Sequence, residues 1–323
     1  MKDFIAIGDT VVDAFIKLKE AEIGPDEKSL ILSFGDKVPY ESVEEIPAVG
    51  NSANATVSAS RLGLNCALYT VLGSDENGRK CLDKLSSENV STEYISIDRN
   101  KKTNYHYVLW YMMDRTILIK HEKYEYKLPD FNETKWIYLS SLGESAFHIH
   151  DELVSYLEKH PDTKLAFQPG TFQIKTGVEK IQSIYKRSKI FFCNVEEAGR
   201  ILGLETLGIK ELLKRMRSLG PEIVVITDGP KGAYAYDGTN FIFQPPYPDQ
   251  NPAFERTGAG DAFASTTVSA LALGESLNIA LKWASVNSMS VVQEVGAQKG
   301  LLSRSLIQKY LEEANEDFNP KSL

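Results

Sequence analysis

Cysteine is scarce in this 323-residue chain: Cys66, Cys81 and Cys193 are the full complement, scattered through apolar stretches without metal-like spacing. That excludes a disulfide framework and reads as core packing in a reducing compartment. No H-E-x-x-H and no Cys/His cluster occurs, so a zinc enzyme is not expected. Basic residues are outnumbered, 36 Lys and Arg against 44 Asp and Glu, for a formal net charge of −8. Such a balance argues against a nucleic-acid-binding surface, although a local basic pocket for a phosphorylated ligand stays open. Apolar runs all fall short of a membrane span. The start, Met-Lys-Asp, leads straight into a strand pattern with no signal-peptide character. We therefore expect a cytoplasmic protein with neither membrane nor nucleic acid as partner. Internal repeats, low-complexity tracts and a long linker are missing too, so nothing divides the chain into separate domains.

Two phosphate-binding signatures are also absent. There is no G-x-x-x-x-G-K-[ST], which rules out a P-loop. Gly258-x-Gly260-x-x-Phe263 lacks the third glycine of the dinucleotide fingerprint and lies late in the chain, so a dehydrogenase is disfavoured.

What is present has the make-up of a globular protein, 42% hydrophobic and 25% charged, long enough to bury a sizeable core. Residues 4–7 form an apolar strand ending at Gly8-Asp9, with Asp13 close behind. Carboxylates just past a first strand lie where open α/β sheets bind ligands, although a solvated loop would read alike. Residues 15–47 are long and irregular for a simple connection. Gly50-Asn51-Ser52-Ala53-Asn54 opens a helix to about Leu62, closed by Gly63. Residues 67–72 read as a strand, 73–78 as a turn, and 79–87 as a helix. The pattern then turns strand-like, with a hairpin over 105–111 and 116–120. Together with 15–47 it predicts a small β lid, from about 14–48 and 100–128, over one edge of the main sheet. From Trp136 onward strands and helices alternate, which predicts a mainly parallel sheet with helices on both faces. Helices are expected over 150–159, 175–187, 196–202, 209–218, 279–292 and 303–314.

Three clusters fall at strand ends in the second half. Asn194 follows a strand, with Glu197 three residues on at a helix start. Glu197 could partner Mg²⁺ directly or through water, or simply be a first-turn carboxylate favoured by the helix dipole. Thr227-Asp228-Gly229-Pro230-Lys231-Gly232 offers a hydroxyl and glycine amides to a nucleotide phosphate, or is a plain turn. Third, a Pro- and Asn-rich loop over 244–252 leads into Glu255-Arg256-Thr257-Gly258-Ala259-Gly260-Asp261-Ala262-Phe263, followed by a small-residue helix over 262–273. Two glycines let successive amides converge at a helix start, an anion site beside the Asp261 carboxylate. Charge stabilisation next to a proton acceptor is what phosphoryl transfer to a hydroxyl needs. A helix N-cap would use the same residues.

Taken in chain order, Gly8 with Asp13, Gly50-Asn51-Ser52-Ala53-Asn54, Asn194-x-x-Glu197, Thr227-x-Gly229 with Lys231-Gly232, and Thr257-Gly258-Ala259-Gly260-Asp261-Ala262-Phe263 resemble the ribokinase/PfkB family of carbohydrate kinases. The resemblance covers nearly the whole chain, to about Gly296-Ala297, and extends to a lid segment at Arg115-Thr116-Ile117-Leu118. It implies a ribokinase-like three-layer αβα sandwich with a small β lid, a single kinase domain over 1–323. It also implies ATP as co-substrate, Mg²⁺, and γ-phosphoryl transfer to a hydroxymethyl group of a small sugar or, alternatively, a nucleoside. By that likeness Asp261 is the general base and the amides of Gly258, Ala259, Gly260 and Asp261 form the anion hole. Asp13, Gly50, Asn51, Asn54 and Arg115 fall on the substrate side. Asn194, Glu197, Thr227, Gly229, Gly232 and Asn287 fall on the nucleotide side, with Glu197 toward Mg²⁺. A homodimer through the lid is a further implication. The chain departs from the family where Glu255-Arg256 replaces the usual Asp-Thr, which leaves dependence on K⁺ open. It departs again at Val49 and Ser52, where glycines are common. A catalytically silent binding protein on the same fold is the rival reading.

Overall fold

Residue alternation in the first strand, Lys2–Ile7, sets up the whole architecture. Phe4 and Ala6 enter one hydrophobic cluster while Ile5 and Ile7 enter another. A strand buried on both faces must lie inside a sheet covered by helices on each side. In the computed structural model, which describes all residues except 28, 113, 205–206 and 249–252, that sheet has nine strands. Cys66–Tyr69, Lys2–Ile7, Thr134–Leu139, Lys164–Phe167, Ser188–Asn194 and Ile223–Thr227 run parallel in that spatial order. Ala233–Tyr236, Phe241–Gln244 and Lys321–Ser322 complete it antiparallel. The helices Asn51–Arg61, Ala259–Ala272 and Leu277–Val291 cover one face, and Ile149–Lys159, Val195–Leu202 and Ile209–Ser218 the other. The three-layer α/β sandwich expected from the sequence is present.

A second sheet of four strands forms the lid. Asn104–Tyr111 lies between its hairpin partner Asp114–Leu118 and a parallel neighbour, Val11–Leu18, which in turn pairs with Tyr40–Val49. Its first strand begins at Val11, so Asp13 lies within the lid sheet, opposite Ile46 and His106, rather than in a loop after the first strand.

Several boundaries differ from expectation, each for a local reason. The helix after the turn at 73 starts at Glu76, because Asp75 caps it by accepting from the Gly78 amide at 3.0 Å. The helix expected over 175–187 is broken into Thr171–Thr176, a single tight turn at Val178–Ile181, and Gln182–Arg187. Gly177 stands at φ 87°, outside the helical region, and stops the first piece. The helix expected to start at Ala262 begins at Ala259. Gln244, the first residue of the Pro- and Asn-rich loop, is the last residue of a strand, and 249–252 of that loop lie outside the described residues.

Candidate active site

All parallel strands point their carboxyl ends at one region, which receives Asp9, Ser140, Gln168, Asn194 and Thr227. The helices Asn51–Arg61 and Ala259–Ala272 start there as well, with Gly50 and Gly258 as their N-caps. Gly258 has φ 81°, and a Cβ on it would lie 2.3 Å from the Ala297 Cβ, so only glycine fits. Ala259, Gly260 and Asp261 therefore occupy the first helical turn, whose amides lack the usual partner four residues back; the Ala259 amide makes a long contact to the Arg256 carbonyl at 3.5 Å. Gly50, at φ 112°, packs against the Asp9 carbonyl, where a Cβ would sit at 2.7 Å.

Asp261 is the focus. Its Oδ1 accepts from Asn51 Nδ2 at 2.8 Å and Gln168 Nε2 at 3.2 Å, and its Oδ2 accepts from Asn54 Nδ2 at 2.8 Å. Burial among neutral groups raises this carboxyl above an ordinary aspartate, only partly offset by the hydrogen bonds from Asn54, Gln168 and Asn51 and by the Arg115 charge. Asn51 and Asn54, expected at substrate hydroxyls, place their side-chain amides on the carboxylate. Gln168 directly follows the strand Lys164–Phe167. Its carboxamide is oriented by the Tyr138 hydroxyl, which donates to Oε1.

Glu255, just upstream, is 2% exposed. It accepts from the Thr257 amide at 2.7 Å, from the Thr257 hydroxyl, and from the Gly296 amide at 3.3 Å. Arg115, on the lid strand Asp114–Leu118, brings its Nε to 3.5 Å from the same carboxylate. The residue substituted relative to the family pattern therefore clamps the glycine loop and ties it to the lid. Ser52, a further departure, turns its hydroxyl to the Ile7 carbonyl at 2.7 Å and to Ser140, into the sheet.

Asp13 is buried and lies 3.4 Å from His106 Nδ1, while Asp13 Oδ1 and His106 Nε2 make no hydrogen bond. His106 packs against His121, which packs against Phe172 beyond Gln168. Both histidines escaped the sequence reading, and only the register Asp13 to His106 across two lid strands could have found the first. Asp9 is consumed elsewhere. It accepts from the Gly143 amide at 2.7 Å and from the Tyr126 hydroxyl, with His121 Nδ1 at 3.2 Å.

On the other flank, Asn194 and Glu197 form a reciprocal cap: Asn194 Oδ1 accepts from the Glu197 amide at 2.8 Å, and Glu197 Oε2 accepts from the Asn194 amide at 2.9 Å. Burial raises the Glu197 carboxyl despite that cap and Arg200, and the nearby Asp261 charge adds to the rise. Thr227 pairs in register with Asn194, and the turn after it carries Gly229 at φ 50° and Gly232 at φ 100°. Asn287 is not brought to this flank. It is fully buried, donating to Thr266 Oγ1 at 2.7 Å and accepting from the Leu302 amide at 2.9 Å, so its carboxamide is spent joining helices.

The profile of the pfkB family carbohydrate kinases matches residues 7–304. Ribokinase of Bacillus subtilis is 25% identical over 283 residues, covering 86% of this chain and 92% of that protein. An ATP-dependent 6-phosphofructokinase of Thermoanaerobacterium thermosaccharolyticum is 26% identical, covering 77% and 80%. Among solved structures, the nucleoside kinase of Methanocaldococcus jannaschii superposes with a TM-score of 0.80 at 19% identity, covering 97% of this chain and 99% of that one. Arabidopsis thaliana ribokinase complexed with ribose and ATP gives 0.79 at 19% identity, covering 96% and 99%.

Proposed function

This chain belongs to the pfkB family of carbohydrate kinases, ATP-dependent enzymes of sugars or nucleosides, and on that premise we propose that it transfers the γ-phosphoryl group of ATP to a hydroxymethyl group of a small sugar. The observation that carries this reading is Asp261: a carboxylate with a raised pKa, at the first turn of a helix, held by donors from two other elements. Asp261 takes the proton of the attacking hydroxyl. The amides of 258–261 receive the charge that builds on the transferred group.

Asp13 and His106 offer an unsatisfied carboxylate oxygen and an unsatisfied ring nitrogen within one lid, a donor-and-acceptor pair suited to sugar hydroxyls. Gly50 lets the chain approach the same pocket closely. Arg115 balances charge from the lid side. The nucleotide lies along Asn194, Thr227, Gly229 and Gly232, where positive-φ glycines keep the turn free of side chains.

A magnesium ion fits the donor set. Glu197 spends one carboxylate oxygen on its cap and keeps Oε1 for a metal-bound water, as suits an ion held mostly by phosphate and water. When bound it neutralises charge on the phosphates. Glu255 is read as an ion-pair anchor rather than a cation ligand, because Thr257, Gly296 and Arg115 already surround it, so turnover is proposed to be independent of K⁺.

No helix of the described residues is long and apolar enough to cross a membrane. The three cysteines are free and buried, which supports a cytoplasmic setting. Ile117 and Leu118 on one edge strand of the lid and Tyr40 and Val43 on the other are exposed, and we read these unpaired edges as seats for a second copy of the chain. A mass by light scattering tests that. The experiment for the function is ADP production with MgATP across a panel of sugars and nucleosides. Turnover of a sugar supports the reading, and preferred turnover of a nucleoside replaces the substrate class. Ligand binding without any ADP would overturn it in favour of a silent binding protein.

A further inference from the structure

Gln298 follows the helix Leu277–Val291 and is 2% exposed. Its Nε2 donates twice, to the Ala48 carbonyl at 2.6 Å and to Asn54 Oδ1 at 3.0 Å. Turning the carboxamide over would set its oxygen against two oxygens, so the orientation is fixed. Gln298 Oε1, by contrast, has no hydrogen-bond partner. An apolar side chain of the same length would avoid that orphaned acceptor, so packing alone does not account for glutamine here. The backbone is anchored as well. Arg61 Nη1 donates to the carbonyls of Gln298 and Leu301 at 2.8 Å each, while its Nε and Nη2 grip Glu88.

Asn54 supplies the account. The two ends of an asparagine carboxamide have nearly the same shape, and only their partners decide which end faces which way. Asn54 Nδ2 faces Asp261 Oδ2, and its oxygen faces Gln298. Without the donor behind it, Asn54 Oδ1 is left unpaired in the interior, and its one remaining anchor is the Asp261 carboxylate itself, so the amide is held on one side only. We infer that Gln298 is a positioning residue for the transfer step, acting through Asn54 to keep a donor on the Asp261 carboxylate and, through Ala48, tying that orientation to the end of a lid strand.

Ala48 supports the second half. It is a fully buried non-glycine residue at φ 59°, held by its amide to Cys81 Sγ at 3.2 Å and by its carbonyl to Gln298. The lid strand Tyr40–Val49 thus leaves its sheet through a constrained residue that Gln298 reads directly. The inference rests on Asp261 acting as the base, as proposed above. The other groups whose charge bears on Asp261 are Arg115 on the lid, Glu197 on its helix and Tyr138 on the sheet. None of these touches Gln298 in the hydrogen-bond network.

Gln298→Met keeps the length and removes both donors. Expected is a fall in kcat of about tenfold, the acid limb of the kcat profile moving up by about half to one pH unit, and KM for ATP unchanged. In an Asn54→Ala background the same substitution should cause no further loss of kcat. An unmoved acid limb, or an equal loss in both backgrounds, would overturn the inference. Should Gln298→Met not fold, Gln298→Ala, which leaves room for water, carries the same measurement. Turnover by the wild type, lost in Asp261→Asn, tests the function separately. A readout independent of turnover is the Asn54 side-chain amide in NMR, assigned by Asn54→Ala. It should resist solvent exchange in the wild type and lose that protection in Gln298→Met, and unchanged protection would also sink the proposal.

Discussion

The two flanks of the site are built in opposite ways. On the Asp261 flank, contacts join residues 93, 207 and 210 positions apart, from two helices and a strand end, and the lid contributes Arg115. On the Asn194 flank, side chain and backbone three residues apart satisfy each other, with Asn194 exposed and Glu197 half-buried. One flank is preorganised around a charge; the other is an open shelf with capped ends. The difference matches the role proposed for each. A base must be fixed to a fraction of an ångström, whereas phosphates and metal-bound water bring their own geometry.

The largest expected effect breaks the preorganised flank directly. Asp261→Asn should lower kcat by about 10²–10⁴-fold, with Tm shifted by no more than a few degrees, measured by ADP release and calorimetry. Retained activity would remove Asp261 from the chemistry. Gly258→Ala comes next. The added methyl meets Ala297 and a backbone at φ 81°, so the first-turn amides must move, and kcat should fall by about a hundredfold. An unaltered kcat would show that the hole does not depend on that close approach.

A pH profile sharpens the comparison further. Burial raises the Asp261 carboxyl above its ordinary 3.8, and only the ionised form accepts a proton. The rate should therefore fall, as pH drops, at a higher pH than an ordinary aspartate would dictate. Stability runs the other way, because the folded protein binds that proton more readily than the unfolded chain, so this group favours the fold as pH falls through its raised value. A limb at or below the ordinary value would contradict the burial argument.

Smaller effects belong to the open flank. Glu197→Gln should raise KM for MgATP by several-fold, about tenfold at most, with kcat nearly kept. A collapse of kcat would mean this flank is as preorganised as the other. The smallest effect expected is from K⁺: replacing Na⁺ by K⁺ should leave the rate unchanged, and clear activation would show that Glu255 coordinates a cation despite Arg115.

The same contrast explains what could be read before folding. Gly258, Gly260 and Asp261 declare themselves locally, because a tight turn into a helix and a first-turn carboxylate are short-range matters. Asn194 with Glu197 is a pattern four residues long. Asn287 read as a nucleotide contact because nothing near it in sequence reveals Thr266 and the Leu302 amide as its partners. That Asn51 and Asn54 also hold Asp261 could not be read locally, because that acceptor lies more than 200 positions away. His106, His121 and Gln298 carried no signal at all, since each acts through a neighbour from another element.

The sequence by itself determined the alternation of strands and helices, the strand-end clusters and the glycine turn before Asp261, all consequences of local periodicity and backbone freedom. Only the tertiary structure decided which carboxamides face Asp261, that Glu255 pairs with the lid, and that Asn287 is buried. Hydrogen-bond partners are chosen by which elements the sheet order and lid register bring within about 3 Å, and side chains as alike as Asn54 and Asn287 differ only in where that packing leaves them.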